Sequence, residues 1–164
     1  MTVIRIDKDP EALTLTFVAE FDAPVERVWQ VWEDPRQLER WWGPPTWPAT
    51  FARHELVPGG ESHYWMTGPE GEKAGGWWKV LEVDAPTSFS FEDGFADDDG
   101  VPNDTMPVTR ARVTLEPLGE AGARTRMTTI SSFASLEQLE QLVAMGMQDG
   151  MALAMGQIDD ILAA

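Results

Sequence analysis

The chain has 164 residues, of which 43% are hydrophobic and 24% charged, a composition typical of a globular protein and not of a disordered or collagen-like chain. Lys and Arg number 12 against 28 Asp and Glu, which gives a formal net charge of −16. Because nucleic acids and anionic membranes select basic surfaces, we expect neither as a partner.

Cysteine is absent and His occurs twice, which excludes disulfides, thiol nucleophiles and His-rich metal sites. No apolar run approaches the roughly 20 residues of a membrane span, and Met1–Pro10 lacks the apolar centre of a signal peptide. We therefore expect a cytoplasmic protein with no cofactor and no bound metal.

The first predicted elements are a strand and two short helices. From Leu13 to Phe21, apolar residues occupy every second position, which predicts a half-buried strand. Pro24 then gives a helix start, and the apolar residues that follow recur at helical spacing: Val25, Val28, Trp29 and Trp32. A second short helix begins at Pro35 and ends at Gly43.

The middle of the chain has the pattern of antiparallel strands joined by turns. A four-residue turn at Val57–Gly60 would place His54 opposite His63, and Gly75-Gly76 is interpreted as another turn. Asp93–Pro107 is predicted to be a long, acidic, mobile loop. The predicted strands are Ala49–Leu56, Glu61–Thr67, Gly76–Asp84, Ser88–Glu92, Val108–Glu116 and Arg124–Ser131.

The chain closes with a predicted long helix. Ser135 and Gln138 form a capping box, and apolar residues recur at steps of three and four from Leu139 to Leu162. A helix continuing to Ala163 would be about 40 Å long. No second linker or repeat appears, so we expect a single α+β domain over residues 1–164, with a core at about 13–163 and one antiparallel sheet.

Tryptophan is abundant and clustered. Because a buried indole N–H needs a partner, Trp often lies where an apolar wall meets polar groups. A Trp-rich core and a Trp-lined binding site are both compatible with this pattern. The eight positions are Trp29, Trp32, Trp41, Trp42, Trp47, Trp65, Trp77 and Trp78.

The final helix also contains three glycines, Gly146, Gly150 and Gly156, each of which costs about 1 kcal/mol relative to Ala. Three Met flank them: Met147, Met151 and Met155. Flexible Met side chains beside glycines predict a deformable apolar pocket above the sheet. The alternative is that the glycines allow close packing of helix on sheet, with Met as filler.

One face of the hairpin at the predicted turn combines apolar and polar side chains: Phe51, Arg53, Glu55, Ser62, Tyr64 and Met66. Such a mixture suits the wall of a ligand cavity. We therefore expect this face to point inward, although the opposite face also carries apolar residues. Tyr64, together with Arg53 if it turns inward, would orient a ligand.

Catalytic and metal motifs are weak in this sequence. His54 and His63 with Glu61 could hold a metal, but we favour a solvated or hydrogen-bonded pair because no further ligand completes the site. The acidic run Asp97–Gly100 lacks the ligand spacing of a calcium loop. Glu55 is the candidate acid if the protein is an enzyme; we assign no catalytic residue.

The order of elements resembles the helix-grip (SRPBCC, START, Bet v 1-like) superfamily, and more closely the family named after the activator of the heat-shock-protein-90 ATPase. The resemblance covers about Leu13–Ala163, with Val57 and Met151 departing from the usual pattern. It implies a curved antiparallel sheet of about six to seven strands around the C-terminal helix, with a cavity between them. The motifs are Phe21-Asp22-Ala23-Pro24, Val28-Trp29, Asp34-Pro35, Trp41-Trp42-Gly43-Pro44, Pro58-Gly59-Gly60, Gly68-Pro69-Glu70-Gly71, Glu82-Val83-Asp84-Ala85-Pro86 and Gly146-Met147-Gln148-Asp149-Gly150.

We therefore predict that the protein binds a hydrophobic or amphipathic small molecule, as a monomer or weak homodimer. The alternatives are a co-chaperone that acts on a heat-shock ATPase, and an enzyme such as a cyclase or hydrolase. The choice between Trp77 and Trp78 for the cavity stays open. The expected ligand-binding residues are Trp42, Phe51, Arg53, Tyr64, Met66, Trp78, Phe91, Met127, Met147 and Met151.

Overall fold

Eight strands form one antiparallel sheet in the computed structural model, which describes residues 3–163. The strand order β1-β2-β8-β7-β6-β5-β4-β3 consists of neighbours in sequence except for the pairing of β2 with β8. The bounds are β1 Val3–Asp9, β2 Thr14–Phe21, β3 Ala49–His54, β4 Glu61–Thr67, β5 Lys73–Asp84, β6 Ser88–Ala96, β7 Thr109–Leu118 and β8 Arg124–Ser132.

The helices precede β3 and follow β8, which gives the predicted α+β arrangement, consistent with a helix-grip fold. The bounds are α1 Val25–Glu33, α2 Pro35–Leu38, α3 Leu136–Ala144, α4 Met147–Gly156 and α5 Ile158–Ala163, with a 3₁₀ turn at Glu120–Gly122. Among residues 3–163, none of the helices has both the length and the apolar character needed to cross a membrane.

The predicted count of six to seven strands is wrong, because it omits β1. This strand pairs with β2 at the edge of the sheet, and five of its seven residues are exposed. An edge strand exposed on both faces lacks the alternation of apolar and polar residues by which strands are recognised.

The C-terminal helix was predicted to be continuous, which is also wrong, because the structure divides it into α3, α4 and α5. Ser135 does cap α3, since its hydroxyl accepts a hydrogen bond from the Gln138 N–H at 3.2 Å. However, Gly146 adopts a left-handed conformation with φ of +93°, which ends α3 and starts α4 in a new segment. The Gln157 amide, at the end of α4, donates to the Gly43 carbonyl at 2.7 Å and ties this segment to the chain after α2.

Glycines inside strands explain the errors in the middle of the chain. Gly76 lies within β5 opposite Tyr64, and Gly94 lies within β6 opposite Trp77. A Cβ at either glycine would collide with the ring across from it. These glycines therefore let aromatic rings lie flat over the neighbouring strand, and they do not mark the predicted turn and loop.

A β-bulge in β3 changes the register of the β3–β4 hairpin. The shift lies between Phe51 and Arg53, and it places His54 opposite Ser62 instead of His63. Phe51 remains buried, whereas Arg53 is exposed. The predicted inward position of Arg53 is therefore wrong, because the extra residue of the bulge reverses the face to which later side chains point.

The core is an aromatic cluster between α1 and the inner face of the sheet. Trp32 is 0% exposed, and its ring centroid lies 4.6 Å from Trp41 and 5.1 Å from Phe89. Its indole N–H donates to the sulfur of Met127 at 3.3 Å. The Trp41 indole donates to the Val31 carbonyl at 2.9 Å. The N–H groups of these two indoles are therefore hydrogen-bonded inside the core.

Truncating Trp32 tests how much this cluster stabilises the fold. We expect Trp32→Ala to lower the free energy of unfolding by about 3–5 kcal/mol, because it opens a large cavity that the surrounding rings cannot fill. Urea unfolding monitored by circular dichroism measures the loss. Trp65→Ala is the matched control, since Trp65 is half-buried with Lys73 above its ring at 5.0 Å. Equal losses in the two variants would contradict the assignment of Trp32 to the centre of the core.

Candidate functional site

A cavity of about 290 Å³ lies between the inner face of the sheet and the C-terminal helices. Its wall is formed by residues of the sheet and of the segments beside it: Trp42, Pro44, Tyr64, Met66, Ala74, Gly75, Asp93, Gly94, Phe95, Pro107 and Thr109. Its roof is formed around the break between α3 and α4: Leu142, Met145, Gly146, Met147, Gly150 and Met151.

The roof does not close onto the sheet. A Cβ added at Gly150 would have no neighbouring atom within 4 Å, and the same holds at Gly146. Close packing therefore does not explain Gly150, while Gly146 is a glycine because of its left-handed conformation. Gly156 also has open space around it, but it is exposed and does not line the cavity.

A hydrogen-bonded pair of polar side chains stands on the otherwise apolar wall. The Tyr64 hydroxyl donates to Oδ1 of Asp93 at 3.0 Å. Tyr64 is on β4 and Asp93 on β6, so the Tyr64 ring must cross the intervening β5. It crosses at Gly76, where any larger residue would occupy the position of the ring. The glycine in β5 therefore makes the pair possible.

Burial changes the protonation of this pair. It raises the pKa of Asp93 from 3.8 to about 7, with the hydrogen bond from Tyr64 acting in the opposite direction. Burial and the neighbouring Asp93 carboxylate raise the pKa of Tyr64 well above its ordinary value of 10. Near neutral pH the cavity therefore contains a carboxyl group that can be either charged or neutral, beside a protonated phenol.

Five of the ten predicted site residues line the cavity: Trp42, Tyr64, Met66, Met147 and Met151. Four others are buried in the core outside the lining: Phe51, Trp78, Phe91 and Met127. Trp78 stacks on Phe91 with a centroid distance of 4.1 Å, and it contacts Trp42 at 4.9 Å. Trp78 and Phe91 therefore pack behind Trp42, on the side of its ring that faces the core. Trp78, which is 1% exposed, lies on the inner face, while Trp77 is only half-buried.

Arg53 lies away from the cavity. Its guanidinium donates to Oε1 of Glu55 at 2.8 Å on the outer side of the hairpin. Glu55 is exposed, and the hydrogen bond from Arg53 lowers the pKa of its carboxyl. Glu55 therefore lacks the desolvated environment that was expected of a catalytic acid.

Sequence reasoning missed Asp93, the one charged residue of the cavity lining. The prediction ended β6 at Glu92 and assigned Asp93 to a loop, whereas β6 continues to Ala96. The sequence pattern that could have revealed Asp93 is the alternation of Phe89, Phe91 and Phe95. Asp93 lies at the missing position of this alternation, so its side chain points to the same face of the strand. Phe95, Leu142 and Met145 were missed as well.

The two His side chains do not form the cross-strand pair that the sequence predicted. One ring nitrogen of His54 lies 2.7 Å from the Trp32 carbonyl and the other 2.8 Å from the Ser62 hydroxyl, and burial lowers the pKa of His54. His63 lies 3.9 Å from Glu61 and is only half-buried. In the described chain, no group of three or more His, Asp or Glu side chains could hold a metal ion.

The antiparallel sheet, the C-terminal helices and the cavity between them are consistent with a helix-grip fold. The chain belongs to the family described as Activator of Hsp90 ATPase homolog 1-like protein, which matches residues 22–163. None of the curated proteins compared with the chain matches it.

Solved structures of similar proteins agree with this assignment. A protein from Arthrobacter aurescens is 57% identical, with a TM-score of 0.93 over 99% of this chain and 92% of that chain. A protein from Mycobacterium smegmatis is 49% identical, with a TM-score of 0.88 over 98% of this chain and 96% of that chain. A protein from Staphylococcus epidermidis, at 24% identity and a TM-score of 0.83, shares the fold over 98% of this chain and 94% of that chain.

The raised pKa of Asp93 predicts a pH-dependent cost to folding. Between its ordinary pKa of 3.8 and its folded pKa of about 7, the folded protein holds a proton that the unfolded chain has released. The free energy of unfolding therefore falls as the pH rises through this window. Asp93→Asn keeps an acceptor for Tyr64 without the charge, so it should be about 1–3 kcal/mol more stable than the wild type near pH ~8.5.

Urea unfolding at several pH values measures this difference, which should shrink towards zero near pH ~4. His54 is present in both proteins, so its titration contributes equally to their stabilities and does not affect the difference between them. Asp98→Asn removes one charge from an exposed loop position and should show no such trend. An Asp93→Asn protein that is less stable than the wild type at high pH would show that the carboxylate is not desolvated.

Proposed function

We propose that the protein binds a hydrophobic or amphipathic small molecule in the cavity under α3 and α4. The observation that supports this is an open cavity of about 290 Å³ whose mostly apolar lining contains one hydrogen-bonded carboxyl–hydroxyl pair. Binding sites for small molecules have this combination, with apolar walls and a few polar groups that orient the ligand.

The size and lining of the cavity favour an apolar ligand body. An apolar cavity of about 150 Å³ is enough to hold benzene, so this one has space for a longer alkyl chain or for two rings. Met147 and Met151 in the roof are half-buried and unbranched, and such side chains adapt their conformation to the shape of a ligand.

Ligand binding accounts for the site better than the two alternatives do. The lining has two titratable side chains, Asp93 and Tyr64, and these are hydrogen-bonded to each other and not to a further catalytic group in the described chain. The co-chaperone alternative comes from the description of the family, and no feature of the described surface favours it. Stimulation of a heat-shock ATPase by the purified protein would reverse this preference.

Filling the cavity from the roof tests the proposal. Gly150 and Gly156 both lie in α4, both have open space around the position of a Cβ, and only Gly150 lines the cavity. We expect Gly150→Leu to weaken binding of the fluorescent apolar probe N-phenyl-1-naphthylamine by about tenfold or more, because the new side chain occupies the ligand volume. Gly156→Leu should bind the probe like the wild type.

Probe fluorescence gives the Kd, and native mass spectrometry of the freshly purified protein shows whether a small molecule co-purifies. Circular dichroism verifies that both variants are folded. Equal binding by Gly150→Leu and the wild type would mean that the probe binds elsewhere. If no member of a broad panel of lipids and aromatic compounds binds the wild type, the proposed function is wrong.

A further inference from the structure

The polar side chains that the cavity offers to a ligand are acceptors. Tyr64 directs its only hydroxyl hydrogen to Oδ1 of Asp93, so towards a ligand its oxygen can act only as an acceptor. Oδ2 of Asp93 takes part in no hydrogen bond within residues 3–163. The Thr109 hydroxyl donates to the Asp93 carbonyl at 3.4 Å. The indole nitrogen of Trp42 is covered by neighbouring atoms, and its N–H acts on the Tyr64 hydroxyl, where it opposes the rise in the pKa of Tyr64.

The charge of the cavity is of one sign. Asp93 is the single charged side chain of the lining, and no Lys, Arg or His of the described chain belongs to it. The protein as a whole carries a formal net charge of −16. An anionic ligand would therefore bring a second negative charge beside Asp93 without a partner, whereas a cation would compensate this half-buried carboxylate.

We propose that the cavity selects amphipathic amines, with an alkyl or aryl body beneath the roof and a protonated amine that donates hydrogen bonds to Asp93 and Tyr64. This inference rests on the proposed function and specifies its ligand class. An ammonium group supplies only donors and one positive charge, which complements the acceptors and the carboxylate of this site. Fatty acids and other apolar carboxylates are selected against.

Three compounds that share one apolar body, a phenyl ring with four methylenes, test the selection: 4-phenylbutylamine, 4-phenylbutan-1-ol and 5-phenylpentanoate. Isothermal titration calorimetry near pH ~8.5 gives their Kd values while Asp93 and the carboxylate ligand are ionised and the amine is protonated. We expect the amine to bind about tenfold or more tightly than the carboxylate, with the alcohol between them.

Asp93→Asn should weaken the amine about tenfold and change the alcohol by less than about twofold, because only the amine uses the charge. Asp98→Asn is the matched control: it removes the same charge from an exposed loop, and all three affinities should stay as in the wild type. The amine should also bind more weakly near pH ~5.5, where Asp93 is largely protonated. Around Asp93, β4 contributes Tyr64, while β5, β7 and the roof contribute no titratable side chain to the cavity.

The outcomes separate this inference from the proposed function. A carboxylate that binds as tightly as the amine, or an order of affinities that Asp93→Asn leaves unchanged, would overturn the selection of amines while ligand binding itself stands. Failure of all three compounds to bind would overturn the proposed function and this inference together.

Discussion

The packing of Trp32 between α1 and the sheet holds the cavity wall in one arrangement. Trp32 contacts Trp42 at a centroid distance of 5.9 Å, and Trp42 contacts Tyr64 at 6.1 Å, so the core continues without interruption into the wall. The roof is built differently, from Met and Gly in helices that are interrupted at Gly146. In the proposed function, the wall therefore carries the polar groups that orient a ligand, and the flexible Met side chains of the roof adapt to its shape.

Asp93 is the residue at which folding and function have opposite requirements. A carboxyl group in an apolar cavity destabilises the folded state when it ionises, and a neutral amide would accept the same hydrogen bond from Tyr64. The property that the carboxyl adds is a negative charge inside the cavity. In the proposed selection of amines, this charge is compensated by the positively charged ligand.

The sequence pattern predicted the elements whose periodicity is regular. Alternation indicated β2, β7 and β8, and the capping box at Ser135 indicated the start of α3. The bulge in β3 and the strand glycine Gly76 were not predicted, because each depends on a neighbouring strand whose register the local sequence does not contain. The same reason explains why the site was predicted only in part. Met66 could be assigned to the cavity because alternate residues of a strand point to the same face. Asp93 could not, because the prediction ended β6 one residue before it.

The pairing of β2 with β8 has a consequence for the order in which the molecule assembles during synthesis. One edge of β2 remains without a partner until Ser132 at the end of β8 has left the ribosome. Until then the strands from β3 to β7 cannot join β2, although α1, which packs on their aromatic face, has already been made, and the roof helices α3 to α5 follow later still. Contacts this distant in sequence slow folding and leave nascent chains prone to aggregation. Assembly of the full sheet therefore waits for the synthesis of Arg124–Ser132.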